Sequence, residues 1–334
     1  MGSKLIKVIA TLGGYVHTGI EIKEDVGGLR GLFATENIPS ATRLVTIPWS
    51  LIITGSNPCD CIKRLRHEIT LNSSSDSIYA PYLNVIRHVE APPYTWPHDA
   101  RRLLENLPPY DFARHSQWFY QECLNYAEHD RTSDFALALY VSRSIGSPDH
   151  GFSMLPYIDL ANHHSTPNIR IAYDDQGVTM LTISDLQSGD QIYTSYGFGT
   201  AELFRDYGFV EPLPQYWRIS PDIAFQVLAD NTTIVWDTTI PSSRQAFLDA
   251  TADIRKELLI EEDTDDGVVN GVPAIINFFN KIGHRQRRDH RLHKNSPPEV
   301  TKAQQYRDNL SHAIRLAMAS LPLSPLTRDV TIEL

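Results

Sequence analysis

A chain of 334 residues with 42% hydrophobic and 21% charged side chains can build one large domain and a smaller one, which excludes wholesale disorder. Its formal net charge of −10 argues against nucleic acid as a partner and leaves room for a basic protein. No apolar run approaches the ~20 residues of a membrane span, and the opening Met1-Gly-Ser-Lys-Leu-Ile carries neither a secretory signal nor a myristoylation signal, so no membrane attachment is expected.

Lys4 to Leu12 has the spacing of a short amphipathic helix closed by Gly13-Gly14. Val16 to Ile22 and Leu29 to Thr35 flank Gly27-Gly28 as paired strands do, and Arg43 to Ile47 reads as a further strand. From Cys59 the period changes. Ile62 to Ile69, Ile78 to Val89, His98 to Leu107, Phe112 to Tyr126 and Ser133 to Ile145 have helical spacing, interrupted by Pro92-Pro93 and Pro108-Pro109. In the last of these Phe135, Leu137, Leu139 and Val141 lie on more than one side, which predicts a core helix whose final Arg143 faces an anion or carbonyl groups. Three cysteines, Cys59, Cys61 and Cys123, lack zinc spacing and are expected as reduced thiols of an intracellular protein.

After Gly151 the β pattern returns, with strands at Ile169 to Tyr173, Val178 to Ser184 and Gln191 to Ser195, and turns at Asp174 to Gly177 and Gln187 to Asp190. Neither β half can bury a face alone, so the two are expected to pair across the helical stretch. Beyond Pro212-Leu-Pro214, helices are expected around Ser243 to Leu259, Ala274 to Ile282 and Thr301 to Leu321. An acidic run, Glu261 to Asp266, and a basic run, Arg285 to Lys294, read as solvated loops.

Two polar clusters are framed by apolar residues in a way that core-building does not require: Leu155 to His163 and Gln191 to Gly197. In the first, Ile158, Leu160 and Ala161 draw Asp159, Asn162 and His163 inward, and buried polar groups need partners. Asp159, His163 and His164 would suit a metal only on a helix, whereas Pro156 and Asn162 favour a turn, so no metal is expected. The turn at Gly28 to Gly31 lets a ligand approach bare backbone, although in isolation it is an ordinary hairpin turn.

In this order, Gly28-Leu-Arg-Gly-Leu-Phe-Ala-Thr-Glu-Asn-Ile38, Ser142-Arg143, Asp159-Leu-Ala-Asn-His163 and Tyr196-Gly197 resemble the SET-domain protein lysine methyltransferases. The resemblance is to the branch of Rubisco large-subunit and ribosomal-protein lysine methyltransferases, whose SET domain is split by a helical insertion. It implies an α+β fold of short sheets with a pseudoknot-like C-terminal part. The domains implied are 1–58 and 151–212 as the two SET halves, 59–150 as the insertion, and 213–334 as a helical substrate-binding domain. The implied cofactor is S-adenosyl-L-methionine, held by Leu29, Arg30, Gly31, Leu32, Phe33, Arg143, Asp159, Asn162, His163 and Tyr196. Tyr196 is implied as the catalytic residue, with Ile145, Tyr173 and Tyr207 lining the substrate channel. The family pattern is Gly-x-Gly, whereas here Leu29-Arg30 separates Gly28 from Gly31, and Gly199-Thr200 stands where relatives carry Ser-Asn.

The activity implied is methylation of a non-histone protein lysine by a cytoplasmic or nuclear monomer. No cysteine cluster follows the second β half, which disfavours a histone-directed site, and Ile145 stands where a histidine-methylating branch carries Asn. A small-molecule acceptor, a non-catalytic binding module and a metal-dependent enzyme remain as alternatives.

Overall fold

The computed structural model describes residues 2–25, 28–72, 77–87, 92–104, 107, 114–124, 130–147, 151–220, 222–248 and 296–320. The expected helix at Ala274 to Ile282 and both charged runs lie outside the described residues, as does the end of the expected helix from Ser243. The chain divides into two compact units. The first comprises Met1–Trp96, Asp111–Phe198 and Glu202–Gly208, and the second Pro97–Tyr110, Gly199–Ala201 and Phe209–Leu334.

Helix α1 (Ser3–Thr11) buries Leu5 and Ile9, four apart on one face, and leads into strands β1 (Tyr15–Val16), β2 (Ile20–Glu24), β3 (Arg30–Ala34) and β4 (Arg43–Pro48). Then come helices α2 (Pro58–Asn72), α3 (Ala80–Ile86), α4 (His98–Leu104), α5 (Arg114–Trp118) and α6 (Arg131–Arg143). A hairpin follows, made of β5 (Ser144–Ser147) and β6 (Gly151–Met154). Strands β7 (Asn162–His163), β8 (Ile169–Asp174), β9 (Gly177–Thr182) and β10 (Gln191–Thr194) precede helix α7 (Thr200–Tyr207).

The early and late strands of the first unit interleave. One sheet has the order β1-β4-β9-β8 and the other β2-β3-β10-β7, so each joins strands from both sides of the helical stretch. All neighbours are antiparallel except β7 and β10, whose parallel register sets Asn162 against Tyr193 and His163 against Thr194. The core contains Leu32, Leu44, Ile47, Ile62, Leu137, Ile158 and Ile192, all fully buried, each contributing roughly 1.5 to 3 kcal/mol by leaving water. Helix α6 runs through this core as expected, starting where the Asp130 carboxylate caps the Ser133 amide at 2.7 Å.

Three expectations need correction. Ile145 does not end a helix: the chain turns extended at Ser144, and Ile145 pairs with Ser153 in a hairpin that the helical spacing concealed. The C-terminal region is not purely helical either. In the second unit β11 (Gln215–Ser220), β12 (Ile223–Val227) and β13 (Ile234–Trp236) form an antiparallel sheet, beside helical residues 243–248 and the helix Pro298–Ala319. Finally, Cys59 and Cys123 are joined in a disulfide, because folding brings α2 against the turn after α5 with a Cα separation of 5.4 Å. Cys61 alone remains a thiol; burial pushes its pKa up to about 11.

Candidate active site

The site is built on the turn that the buried apolar residues of the first polar cluster dictate. Ile158, Leu160 and Ala161 are at most 3% exposed, which carries Asp159 inside with them at 6%. A 3-10 turn at Ile158–Leu160 follows Tyr157, whose φ of +77° is a conformation that non-glycine residues seldom adopt. Such a residue costs on the order of 1 to 3 kcal/mol, and the buried Tyr157 side chain helps to hold it there. The turn exits into β7, which delivers Asn162 and His163 beside β10.

Asp159 is the centre of a buried network. Its Oδ2 accepts from the Tyr82 hydroxyl at 2.7 Å and lies 3.5 Å from Arg143 Nη1, which also donates to the Asp159 main-chain oxygen at 3.1 Å. Desolvation pushes the Asp159 carboxyl up to about 6, against the opposing pull of Arg143 and Tyr82. Two atoms of this network, Asp159 Oδ1 and Arg143 Nε, are buried without a hydrogen-bond partner among the described residues. Unpaired buried groups of this kind are uncommon and need an explanation.

Tyr196 lies two residues beyond the end of β10, before Gly197, whose φ of +75° suits glycine and turns the chain towards α7. Its amide donates to His163 Nδ1 at 3.1 Å, and its ring stacks on Tyr207 at 4.6 Å between centroids. The hydroxyl reaches towards the Ala161 carbonyl at 3.4 Å, a long and weak contact. Burial pushes the Tyr196 phenol up to about 12 and the Tyr207 phenol well above its ordinary value, so both are neutral hydroxyls near pH 7. Neither is a phenolate base; each can orient a lone pair or a proton.

These groups surround a cavity of about 60 Å³ in the first unit, lined among others by Arg143, Ile145, Asp159, Tyr196 and Tyr207. At about 10 to 15 Å³ for a water-sized group, it has room for about four to six such groups, the scale of the end of a long side chain. Ile171 and Phe198 add apolar wall, as does Phe152 from the β6 strand.

The remaining expected residues stand outside this lining. Tyr173 donates to the Gly146 carbonyl at 2.7 Å, and Ile171, two residues earlier on the same face of β8, takes the place at the wall. Leu32 and Phe33 are buried in β3, and Leu29 is 54% exposed. Arg30 turns its guanidinium to the Val85 carbonyl and Glu24, while its own carbonyl accepts from Asn162 Nδ2 at 3.1 Å. The space that glycine leaves at position 31 is filled from within: a Cβ there would come 2.4 Å from Gln191 Nε2 and 2.8 Å from Asn162 Nδ2. His163 Nδ1 accepts from the Tyr196 amide and His164 Nδ1 from the Thr166 amide, and no group of three potential metal ligands gathers among the described residues.

Sequence reasoning missed Tyr82 and the wall residues Phe152, Ile171 and Phe198. Tyr82 in a helix of ordinary amphipathic spacing gives no signal apart from its aromatic bulk, and the hairpin that places Phe152 was concealed by the helical reading of Ser133 to Ile145.

A cofactor with a zwitterionic amino-acid end fits the residues present. The unpartnered Arg143 Nε is a donor for a carboxylate, and the unpartnered Asp159 Oδ1 is an acceptor for an ammonium group.

The family described as SET domain matches residues 29–197. Ribosomal lysine N-methyltransferase 4 of Saccharomyces cerevisiae is 31% identical over 104 residues, 30% of this chain and 20% of that protein. The chain spans about a fifth or less of the length of the curated relatives it matches. The structure of Rubisco LSMT bound to AdoMet superposes with a TM-score of 0.58 at 14% identity, over 94% of this chain and 89% of that one. The SET domain of LSMT bound to lysine and AdoHcy gives 0.57 at 16% identity, over 93% and 88%. At these identities the likeness speaks for the fold. The family match, by contrast, takes in more than half of the chain and holds the turn, Arg143, Asp159 and Tyr196 within its limits, so this chain belongs to the SET domain family.

Proposed function

We propose that this chain is an S-adenosyl-L-methionine-dependent protein-lysine N-methyltransferase acting on a non-histone protein. The observation that carries the reading is the cavity itself: two neutral phenols, Tyr196 and Tyr207, face a narrow space bounded by the half-satisfied Arg143 and Asp159 pair. The names of the relatives, ribosomal and N-lysine methyltransferases, support lysine as acceptor and AdoMet as cofactor. Ile145 on the cavity wall favours an aliphatic side chain over an imidazole that needs a polar partner.

Arg143 and Asp159 would hold the amino-acid end of the cofactor, and the main chain of Leu29 to Phe33 and the Asn162-His163 strand would offer backbone groups to the rest. When bound, the cofactor supplies an electrophilic methyl group on a sulfonium. The chain does the remaining work by placement. Apolar walls at Ile145, Phe152, Ile171 and Phe198 disfavour the charged ammonium, so the acceptor amine sheds its proton more easily than in water. The Tyr196 hydroxyl, held by its amide on His163 and its ring on Tyr207, orients the amine lone pair. Neither phenol takes the proton, because both remain protonated themselves; it leaves to solvent.

The test combines calorimetric titration with S-adenosyl-L-methionine and a methyl-transfer screen on a proteome extract with labelled cofactor. Binding without added metal and label on lysine of a discrete protein are expected. Absence of binding heat, or label confined to small molecules, would sink the reading.

A further inference from the structure

The helical stretch between the two β halves does more than fill space: one of its helices reaches both polar parts of the site. From α3, Tyr82 donates its hydroxyl to Asp159 Oδ2 at 2.7 Å and is itself fully buried. One turn on, the Val85 carbonyl accepts from Arg30, the residue whose own carbonyl receives Asn162 Nδ2. Helix α3 therefore carries no cavity-lining residue and yet braces both the Asp159 turn and the β3 backbone.

We propose that Tyr82 is a positioning residue for this site: it fixes one oxygen of the Asp159 carboxylate, aligning Arg143 and leaving the unpartnered Oδ1 free to receive a ligand. The proposal rests on the cofactor reading above. Without the Tyr82 donor the buried carboxyl holds its proton to higher pH, and a protonated carboxyl offers a ligand ammonium no charge to pair with. A hydrogen bond from a neutral donor favours the ionised carboxylate over the protonated one, so Tyr82 sets the pH above which Asp159 can act.

The groups facing Asp159 are Tyr82 from α3, Arg143 from α6 and Tyr196 after β10, with Cys61 of α2 near Tyr82. Burial holds Tyr82 well above its ordinary value, Tyr196 at about 12 and Cys61 at about 11. Between mildly acidic and mildly basic pH, Asp159 is therefore the group of this cluster that changes charge.

The experiment is calorimetric titration of the full chain with S-adenosyl-L-methionine at about pH 6 and about pH 8.5, on wild type, Y82F, D159N and the double variant. Tyr82→Phe is expected to weaken binding about tenfold at the lower pH, to recover most of it at the higher, and to add nothing to D159N. D159N keeps His163, so any imidazole contribution cancels in that comparison. A loss equal at both pH values, or repeated in full on D159N, would make Tyr82 a mere packing residue and overturn the proposal. Melting temperatures of the cofactor-free proteins give a second readout, in which the gap between Y82F and wild type widens at the higher pH, where the carboxylate is charged. A gap that stays constant overturns the coupling. Wild type without binding heat overturns the cofactor reading and this role with it, whereas wild-type binding with a pH-independent Y82F loss overturns the role of Tyr82 alone.

Discussion

Each of the two units contains a buried polar cluster, and the two clusters differ in how completely they are satisfied. In the second unit Thr200 donates to Glu211 at 2.7 Å, Gln215 Nε2 to the Glu211 carbonyl at 2.8 Å, and the Trp217 indole to Gln215 Oε1 at 3.2 Å. Asn309 Oδ1 accepts from Gln215 at 3.4 Å and completes the chain of contacts. In the first unit the Asp159 and Arg143 pair keeps two buried atoms unpaired, and its carboxyl is held near 6. What sets the first cluster apart is that its open atoms belong to residues lining the cavity, where a ligand can pair them; in its absence they bear the desolvation cost.

The largest effect that would sharpen this contrast is expected at Tyr196. Tyr196→Phe keeps the ring against Tyr207 and removes only the hydroxyl, so cofactor affinity should stay nearly intact. Loss of one preorganised group of this kind costs ~2.7 to 4 kcal/mol in the transition state, a hundred- to thousandfold in turnover. Single-turnover methyl transfer measures it. A variant with the wild-type rate would return Tyr196 to a structural role and require the cavity assignment with Tyr207 to be redrawn.

Asp159 should show the cost of an open site directly. Its carboxyl is raised from 3.8 to about 6 in the folded chain, so the stability it contributes is present below the unfolded value and is lost as pH rises through about 6. Two units at about 1.36 kcal/mol each make this ~3 kcal/mol at neutral pH. Asp159→Asn should therefore melt higher than wild type near pH 7.5, converge with it towards pH 4, and bind cofactor more weakly at neutral pH. A variant that melts lower at pH 7.5 would show that the pair with Arg143 stabilises the fold, and the contrast between the clusters would fail.

The residues that made the site legible in the sequence were those whose apolar neighbours left them no choice. Ile158, Leu160 and Ala161 had to be buried, and Asp159 went with them; the apolar run of α6 likewise put Arg143 at a carbonyl and a carboxylate. Pairing of the early and late strands followed from their shortness. What could not be read was long-range. Tyr82 meets Asp159 across 77 residues, and Cys59 meets Cys123 across 64, pairings that composition and period do not encode. Strands β11 to β13 escaped because they are only three to six residues long, too short to set a period against the helical spacing that starts at Ser243. The helical spacing before Ile145 ran into a hairpin for the same reason: period shows where a helix can run and says little about where the chain leaves it.

For the closed cluster, Gln215→Ala leaves the Trp217 indole and the Glu211 carbonyl without their partner inside the second unit. The expected loss is ~1 to 3 kcal/mol of unfolding free energy, read by denaturant titration. Cofactor affinity of the folded protein should be unchanged. If binding fell while stability held, this cluster would be a ligand site as well, and the distinction drawn from satisfied partners would be wrong.

The smallest effect is expected where the open and the closed logic meet, at Asn162. Its amide is satisfied, donating to the Arg30 carbonyl, yet with Gln191 it also fills the room beside Gly31. Asn162→Ala removes one half-buried hydrogen bond, worth ~1 kcal/mol of stability, and loosens β7 from β3. Cofactor affinity should fall about fivefold if the Asn162-His163 strand holds cofactor backbone contacts. Gly31→Ala should lose stability as well, because its Cβ meets two side-chain amides closer than 3 Å and both must move aside. In the N162A background one of those obstacles is gone, so the double variant should be more stable than the sum of the single losses predicts, a coupling that thermal melts of the four proteins can resolve. Strict additivity would mean that Gln191 alone excludes a side chain at position 31, and that the Asn162 amide acts only through Arg30.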